Sequence, residues 1–100
     1  MDRRVERELN ALSQDIRQRF LRIAELIEQH GMDAMRAPHV KHLEGKLWEM
    51  RMKGRDGIAR AIYVTASGER VVVVHAFEKK SQRTPQRALE IARDRAKEVT

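Results

Sequence analysis

The chain has 100 residues, no cysteine and a formal net charge of +6. That length suits one domain spanning 1–100, with a core that holds without staples, and the lack of cysteine excludes a disulfide framework. No run approaches the ~20 apolar residues of a membrane span, and no long apolar block follows the charges between Asp2 and Glu8, so a soluble intracellular protein without a signal peptide is expected.

The charge is one-sided. Residues 1–45 balance eight basic side chains (Arg3, Arg4, Arg7, Arg17, Arg19, Arg22, Arg36, Lys41) against eight acidic ones (Asp2, Glu6, Glu8, Asp15, Glu25, Glu28, Asp33, Glu44), so the whole excess falls in 46–100. Such an excess fits a polyanion partner, most simply nucleic acid. It fits equally a generally basic, soluble surface.

The first element is helical. Val5, Leu9, Leu12, Ile16, Phe20, Ile23 and Ile27 recur at steps of three and four, which predicts one apolar stripe over residues 4–30. Ser13 followed by Asp15 is also a helix-starting pattern. The stretch therefore reads as one helix or as two broken near 12–14. His30-Gly31 is a stop signal. Residues 32–38 read as a loop closed by Pro38, and 39–44 as a short strand.

"KLWEMRMK", 46–53, alternates, with Trp48, Met50 and Met52 facing one way and Leu47, Glu49, Arg51 and Lys53 the other. "GRDG" is turn chemistry. "IARAIYVT", 58–65, is a strand with Arg60 as its lone charge. After the turn "ASGE", the run "VVVVHAF", 71–77, is apolar on both faces and reads as a central strand. The spacing predicts a three-stranded antiparallel meander. Thr84 then suits an N-cap and Pro85 a first helical position, with Leu89, Ile91, Ala92, Ala96 and Val99 as a loose stripe. The predicted class is α+β: an N-terminal helix or helical hairpin on a small antiparallel sheet of three to four strands, with a C-terminal helix.

The segment "HAFEKKSQRTPQR", His75 to Arg87, carries the strongest chemical signal. Lys79 and Lys80 leave the strand, Arg83 follows, and Thr84-Pro85 opens a helix whose first N–H groups lack partners. This is a phosphate-site pattern, and also the pattern of a solvated basic loop with an ordinary cap. Arg60 must be paired or line a cleft, because a lone buried charge is costly. Glu49 on the neighbouring strand is a structural partner for it. A bidentate grip on a phosphate is the functional alternative, joined across the sheet by Arg51 and Lys53. Tyr63 reads as half-buried core, or as a base-stacking or proton-donating group. His75, placed on the face of Val71, Val73 and Phe77, reads as a core residue or an acid–base group. His39 and His42 fall on opposite faces of a strand and have no third ligand, so no zinc is expected. There is no P-loop, GxGxxG, GxSxG or paired-carboxylate signature.

The order "LWEMRMK", "GIARAIYV", "VVVVHAFEKKSQRTPQRALEIARDR" resembles the HigB branch of the RelE-like toxins, which includes phage-derived proteins. The resemblance covers roughly residues 20–98. It differs in Ala76, where glycine is common, in Ser81, where threonine is, and in starting with helix rather than strand. It implies the toxin of a type II toxin–antitoxin pair in the bacterial cytoplasm. Such a toxin is an endoribonuclease that cuts mRNA, commonly on the ribosome, without metal or other cofactor. Its implied partners are mRNA, the ribosome and a cognate antitoxin, with no membrane. The 2′-hydroxyl beside the scissile phosphate is the nucleophile, and cationic side chains offset the charge that develops. By position, Arg51, Arg60, Lys79 and Lys80 are the implied phosphate-handling set. Arg60 matches the superfamily's strand arginine, and Lys80 falls near a second catalytic arginine of the RelE branch. Tyr63 and His75 also match family positions, and Lys53, Arg83 and Arg87 would extend the RNA contact. The competing class is a non-catalytic module that binds nucleic acid or an antitoxin, a degenerate toxin. RNA ends carrying a 2′,3′-cyclic phosphate would separate the two.

Overall fold

The N-terminal stripe folds as two helices, α1 (Arg3–Asn10) and α2 (Gln14–His30). In this computed structural model the described residues are 2–30, 40–55, 57–66, 70–78 and 84–99, with backbone only at Ile27, Glu28, His30 and Arg70. Asp2 caps α1, its Oδ1 accepting from the Arg4 backbone N–H at 2.7 Å. Between the helices, Ser13 donates to Asp15 Oδ1 at 2.6 Å. The periodicity alone left one helix or two open because Leu12, in the joint itself, is buried with Val5, Leu9, Ile16, Phe20 and Ile23. The stripe runs across the break because the joint keeps the same apolar side inward. The predicted stop at Gly31 and the loop at 32–38 lie outside the described residues.

Four strands follow: β1 (Val40–Glu44), β2 (Leu47–Lys53), β3 (Ile58–Ala66) and β4 (Arg70–Glu78). They form one antiparallel sheet in the order β1-β2-β3-β4. The predicted meander is therefore extended by β1, which pairs Val40 with Met50 and His42 with Trp48. Gly45 turns β1 into β2 with φ at 50°, a conformation that glycine reaches without Cβ strain.

The sheet divides the core into two layers. Against one face, α1 and α2 bury Val5, Leu9, Ile16 and Phe20 on Met50, Met52, Ala59, Ala61, Tyr63 and Val73. Against the other, α3 (Gln86–Ala96) packs Ala88 and Ala92 on Leu47, Ile62, Val64 and Val74. Alanine-lined contacts let this helix lie close to the sheet. Helices on both faces explain why β4 is apolar on both sides although, within the described sheet, it is an edge strand and not the central strand expected. No helix among the described residues is long and apolar enough to cross a membrane.

A bulge breaks the β3–β4 register. Ile62 pairs with His75, but Tyr63 pairs with Val73, leaving Val74 unopposed. The extra residue reverses the side on which later side chains fall. Val71 and Val73 pack with the helical hairpin, whereas Phe77 packs with the α3 layer. The expectation that His75 and Phe77 share a face with Val71 and Val73 is thus corrected; strict alternation does not survive an inserted residue. The helix start is corrected too. α3 begins at Gln86 with Pro85 at the cap position and no side-chain cap, because the Thr84 hydroxyl is engaged elsewhere.

The β2–β3 turn is pinned to α2. Gly54 N–H donates to Gly57 O at 2.8 Å, and the Arg55 N–H donates to Asp15 Oδ2 at 2.5 Å. The Ser13 hydroxyl and then this N–H hold the Asp15 carboxyl below its ordinary range. A Cβ on Gly54 would stand 2.5 Å from Ile16 Cγ1 and 2.7 Å from Asp15 Oδ2. Gly54→Ala is therefore expected to destabilise by about 1–3 kcal/mol through overpacking. The loss reads as a Tm lowered by roughly 4–8 °C per kcal/mol in thermal unfolding. An unchanged Tm would show that α2 does not press on this turn.

Candidate nucleic-acid interface

The register brings three predicted or adjacent residues into one row. Arg51 on β2 stands directly opposite Arg60 on β3, and Arg60 directly opposite Phe77 on β4. Cross-strand partners share a face, here the face that carries α3. The helix covers the end of this face built from Leu47, Ile62, Val64 and Val74. At the other end Arg51 and Lys53 are exposed, and Ile58 and Phe77 are half-buried. Arg51 and Lys53 enter no ion pair among the described residues.

Arg60 is not on this surface. Only 2% of it is accessible, as is the case for Glu49. Arg60 Nε lies 3.4 Å from Glu49 Oε1, and Nη1 donates to Glu49 Oε2 at 3.5 Å and to Thr84 Oγ1 at 3.0 Å. The Thr84 hydroxyl in turn donates to Glu49 Oε2 at 2.7 Å. One hydroxyl thus accepts from the guanidinium and donates to the carboxylate. The structural pairing with Glu49, anticipated from neighbouring strands, is the arrangement found. Burying either charge alone would be costly, so the pair and its hydroxyl form a unit. That unit joins β2 and β3 to the residue just ahead of α3. Thr84 reads in the sequence as a helix cap, and nothing in the local pattern marks it as a bridge.

Tyr63 lies on the opposite face, opposite Trp48 in register, and is wholly inaccessible. Burial pushes its phenol pKa up to about 12. Among the described residues its hydroxyl has no hydrogen-bond partner.

His75 is buried at the β4 edge, its Nδ1 3.0 Å from Glu8 Oε2. Glu8 also receives Arg95 Nη1 at 2.9 Å and the Ala76 N–H at 3.1 Å, while Arg95 donates to Val74 O at 3.0 Å. The His75 and Phe77 rings stack with centroids 5.0 Å apart and planes 24° apart. The structure therefore brings Arg51, Lys53 and Arg60 to one sheet face and separates Tyr63 from them. Arg87 is exposed at the start of α3, 3.8 Å from Glu90 Oε2. Lys79, Lys80 and Arg83 lie outside the described residues. So does His39, while His42 Nε2 is 2.8 Å from Gly45 O. The described residues hold no group of three metal-ligating side chains.

Fold and site together define a small basic α+β protein that shows cations from one end of a sheet face, beyond the reach of its terminal helix. The family model "Phage derived protein Gp49-like (DUF891)" matches residues 7–97, from within α1 to the end of the C-terminal helix, and the chain belongs to that family, one associated with RelE/HigB-like toxins. No curated protein matches the chain.

Two outcomes test this geometry. Glu49→Ala leaves a buried guanidinium without its carboxylate and is expected to lower stability by about 3–5 kcal/mol in urea unfolding. The apolar double variant Glu49→Leu with Arg60→Met should recover most of that loss. A wild-type midpoint for Glu49→Ala would mean that the pair is solvated. Tyr63, the single tyrosine, gives an unambiguous titration at 295 nm. Native protein should withhold phenolate absorbance until about pH 12, with the midpoint returning to about 10 in denaturant. Because the folded state keeps a proton that the unfolded state releases, stability is untouched below about pH 10 and falls as pH rises beyond it.

Proposed function

We propose that the protein is the toxin of a type II toxin–antitoxin pair, an endoribonuclease that cleaves mRNA on translating ribosomes in the bacterial cytoplasm. The observation that carries this reading is the exposed Arg51–Lys53 pair, on the sheet face where α3 begins. Membership of the Gp49-like family and the one-sided basic charge support it. In the reaction the RNA 2′-oxygen attacks the adjacent phosphorus as its proton is removed. The bond to the 5′-oxygen then breaks, leaving a 2′,3′-cyclic phosphate and a protonated 5′-hydroxyl. Arg51 and Lys53 offset the extra negative charge on the phosphorane, with Lys79, Lys80, Arg83 and Arg87 as further phosphate contacts. The nucleophile comes from the substrate, so the scheme assigns no step to a metal. Arg60 acts as a positioning residue, fixing Thr84 and with it the start of α3. Tyr63 and His75 serve the core and the sheet edge. A cognate antitoxin is the protein partner.

A second reading is favoured by a specific observation. Among the described residues no acid–base group stands beside Arg51, since Glu49 is committed to Arg60 and Thr84 and both Tyr63 and His75 are buried. On that reading the chain is a non-catalytic module that binds RNA or an antitoxin. Both readings expect salt-sensitive RNA binding. With about four phosphate contacts to a single strand, affinity falls roughly 50-fold between 50 and 200 mM salt.

Mapping RNA ends after induction separates them. The toxin reading expects new 2′,3′-cyclic ends with growth arrest. It also expects about a 100-fold loss of cleavage in the Arg51→Ala, Lys53→Ala double variant at unchanged Tm. RNA binding without such ends would leave the binding module.

A further inference from the structure

We propose that Phe77 is a base-stacking residue, taking the face of an unpaired nucleobase in single-stranded RNA while Arg51 holds a phosphate of the same strand. The inference rests on the reading that this sheet face binds RNA, and it adds an aromatic contact to that reading's cations. Phe77 occupies the same cross-strand row as Arg51, with buried Arg60 between them. Two strand spacings separate their Cα atoms by roughly 10 Å. An extended guanidinium side chain and one ribose span that distance.

Three features suit the ring to this task. The bulge at Val74 turns Phe77 onto the α3 face, the face that shows Arg51 and Lys53. The ring is half-buried, so it is anchored by the α3 layer yet keeps accessible surface. It is also held in place. His75 stacks on it at 5.0 Å, and His75 Nδ1 lies 3.0 Å from Glu8 Oε2, which Arg95 and the Ala76 N–H hold in turn. A ring fixed before binding loses little freedom when a base stacks on it. Stacking of a base on an aromatic side chain beside a phosphate-binding cation is the general chemistry of single-strand recognition, and it tolerates any base. A duplex, whose bases are already stacked, offers no such face.

The test uses the full chain and two labelled RNA octamers, one oligouridine and one with the same backbone but abasic throughout, read by fluorescence anisotropy. Wild type should bind the base-bearing strand about 10-fold tighter than the abasic one. Phe77→Leu should lose about that factor on the base-bearing strand and nothing on the abasic one, with the salt dependence unchanged because no phosphate contact is lost. Phe77→Trp should keep the base-dependent advantage, and it answers the question even where the leucine variant folds poorly. Equal binding of the two strands by wild type overturns the proposal. So does an equal loss on both strands in Phe77→Leu, which marks a purely structural ring, or loss of the advantage in Phe77→Trp. Base-dependent binding without cyclic phosphate ends would retain this site and remove the nuclease. Cyclic ends without base dependence would do the reverse, and no binding of either strand would remove both.

Discussion

A charge placed in the middle of an apolar strand has to be answered, and the answer organises this molecule. Arg60 is surrounded by the sheet core, and its charge is met by Glu49 from β2 and by the Thr84 hydroxyl. The pair alone would link two strands that already share a ladder. Thr84 makes it long-range, because that residue belongs to the entry of α3. The helix is thereby started at a fixed height on the sheet. Everything toward Leu47, Ile62 and Val64 lies under it, and the far end of β2, with Arg51 and Lys53, remains uncovered. The line between a packed and an open half of one sheet face is drawn by a buried ion pair and one hydroxyl.

The β4 edge is managed by a second charged cluster. An edge strand shows unpaired N–H and C=O groups that invite association with other strands. Here Glu8 from α1 accepts the Ala76 N–H, and Arg95 from α3 donates to Val74 O, while the two side chains pair with each other. Helices from opposite faces meet around the edge at the bulge. The clamp covers two edge groups, fixes His75, and through His75 sets the plane of Phe77. Both clusters use charge internally, so the cations engaged in them are unavailable to a polyanion.

Much of the architecture was legible because it rests on periodicity. The apolar stripe of 4–30, the alternation of 46–53 and the apolar runs of β3 and β4 each state their element in the spacing of side chains. The break at Ala11–Ser13 was not decisive in that code, since Leu12 keeps the stripe intact through it. β1 was visible only as a short segment, having Val40 and Leu43 as its apolar residues among exposed Lys41 and His42. The bulge was invisible: one residue inserted into "VVVVHAF" leaves an all-apolar string unchanged, yet it moves Phe77 to the other layer. At the candidate site, Glu49 as partner of Arg60 was readable from strand neighbourhood. The role of Thr84 was not, because hydroxyl capping and hydroxyl bridging have the same local sequence, and only the tertiary position of β2 decides between them.

The separation of buried from exposed cations bears on function through electrostatics. A guanidinium that is 2% accessible and met by a carboxylate contributes little field at the surface. Its charge is nearly cancelled at a distance. Arg51, one strand away in the same row, stands in solvent without an ion pair among the described residues, so its field reaches outward and is screened only by salt. Two arginines that look equivalent on paper, both on strands and both aligned with a toxin pattern, therefore do different work. Arg60 converts its charge into position by holding Thr84, and Arg51 leaves its charge exposed to solvent. Moving the positive end of the Glu49–Arg60 pair toward the surface would weaken the seat of α3 before it strengthened any grip on phosphate. On the proposed RNA-binding reading, the cations that serve it are accordingly those at the margin of the buried cluster, Arg51 and Lys53, which enter no ion pair among the described residues.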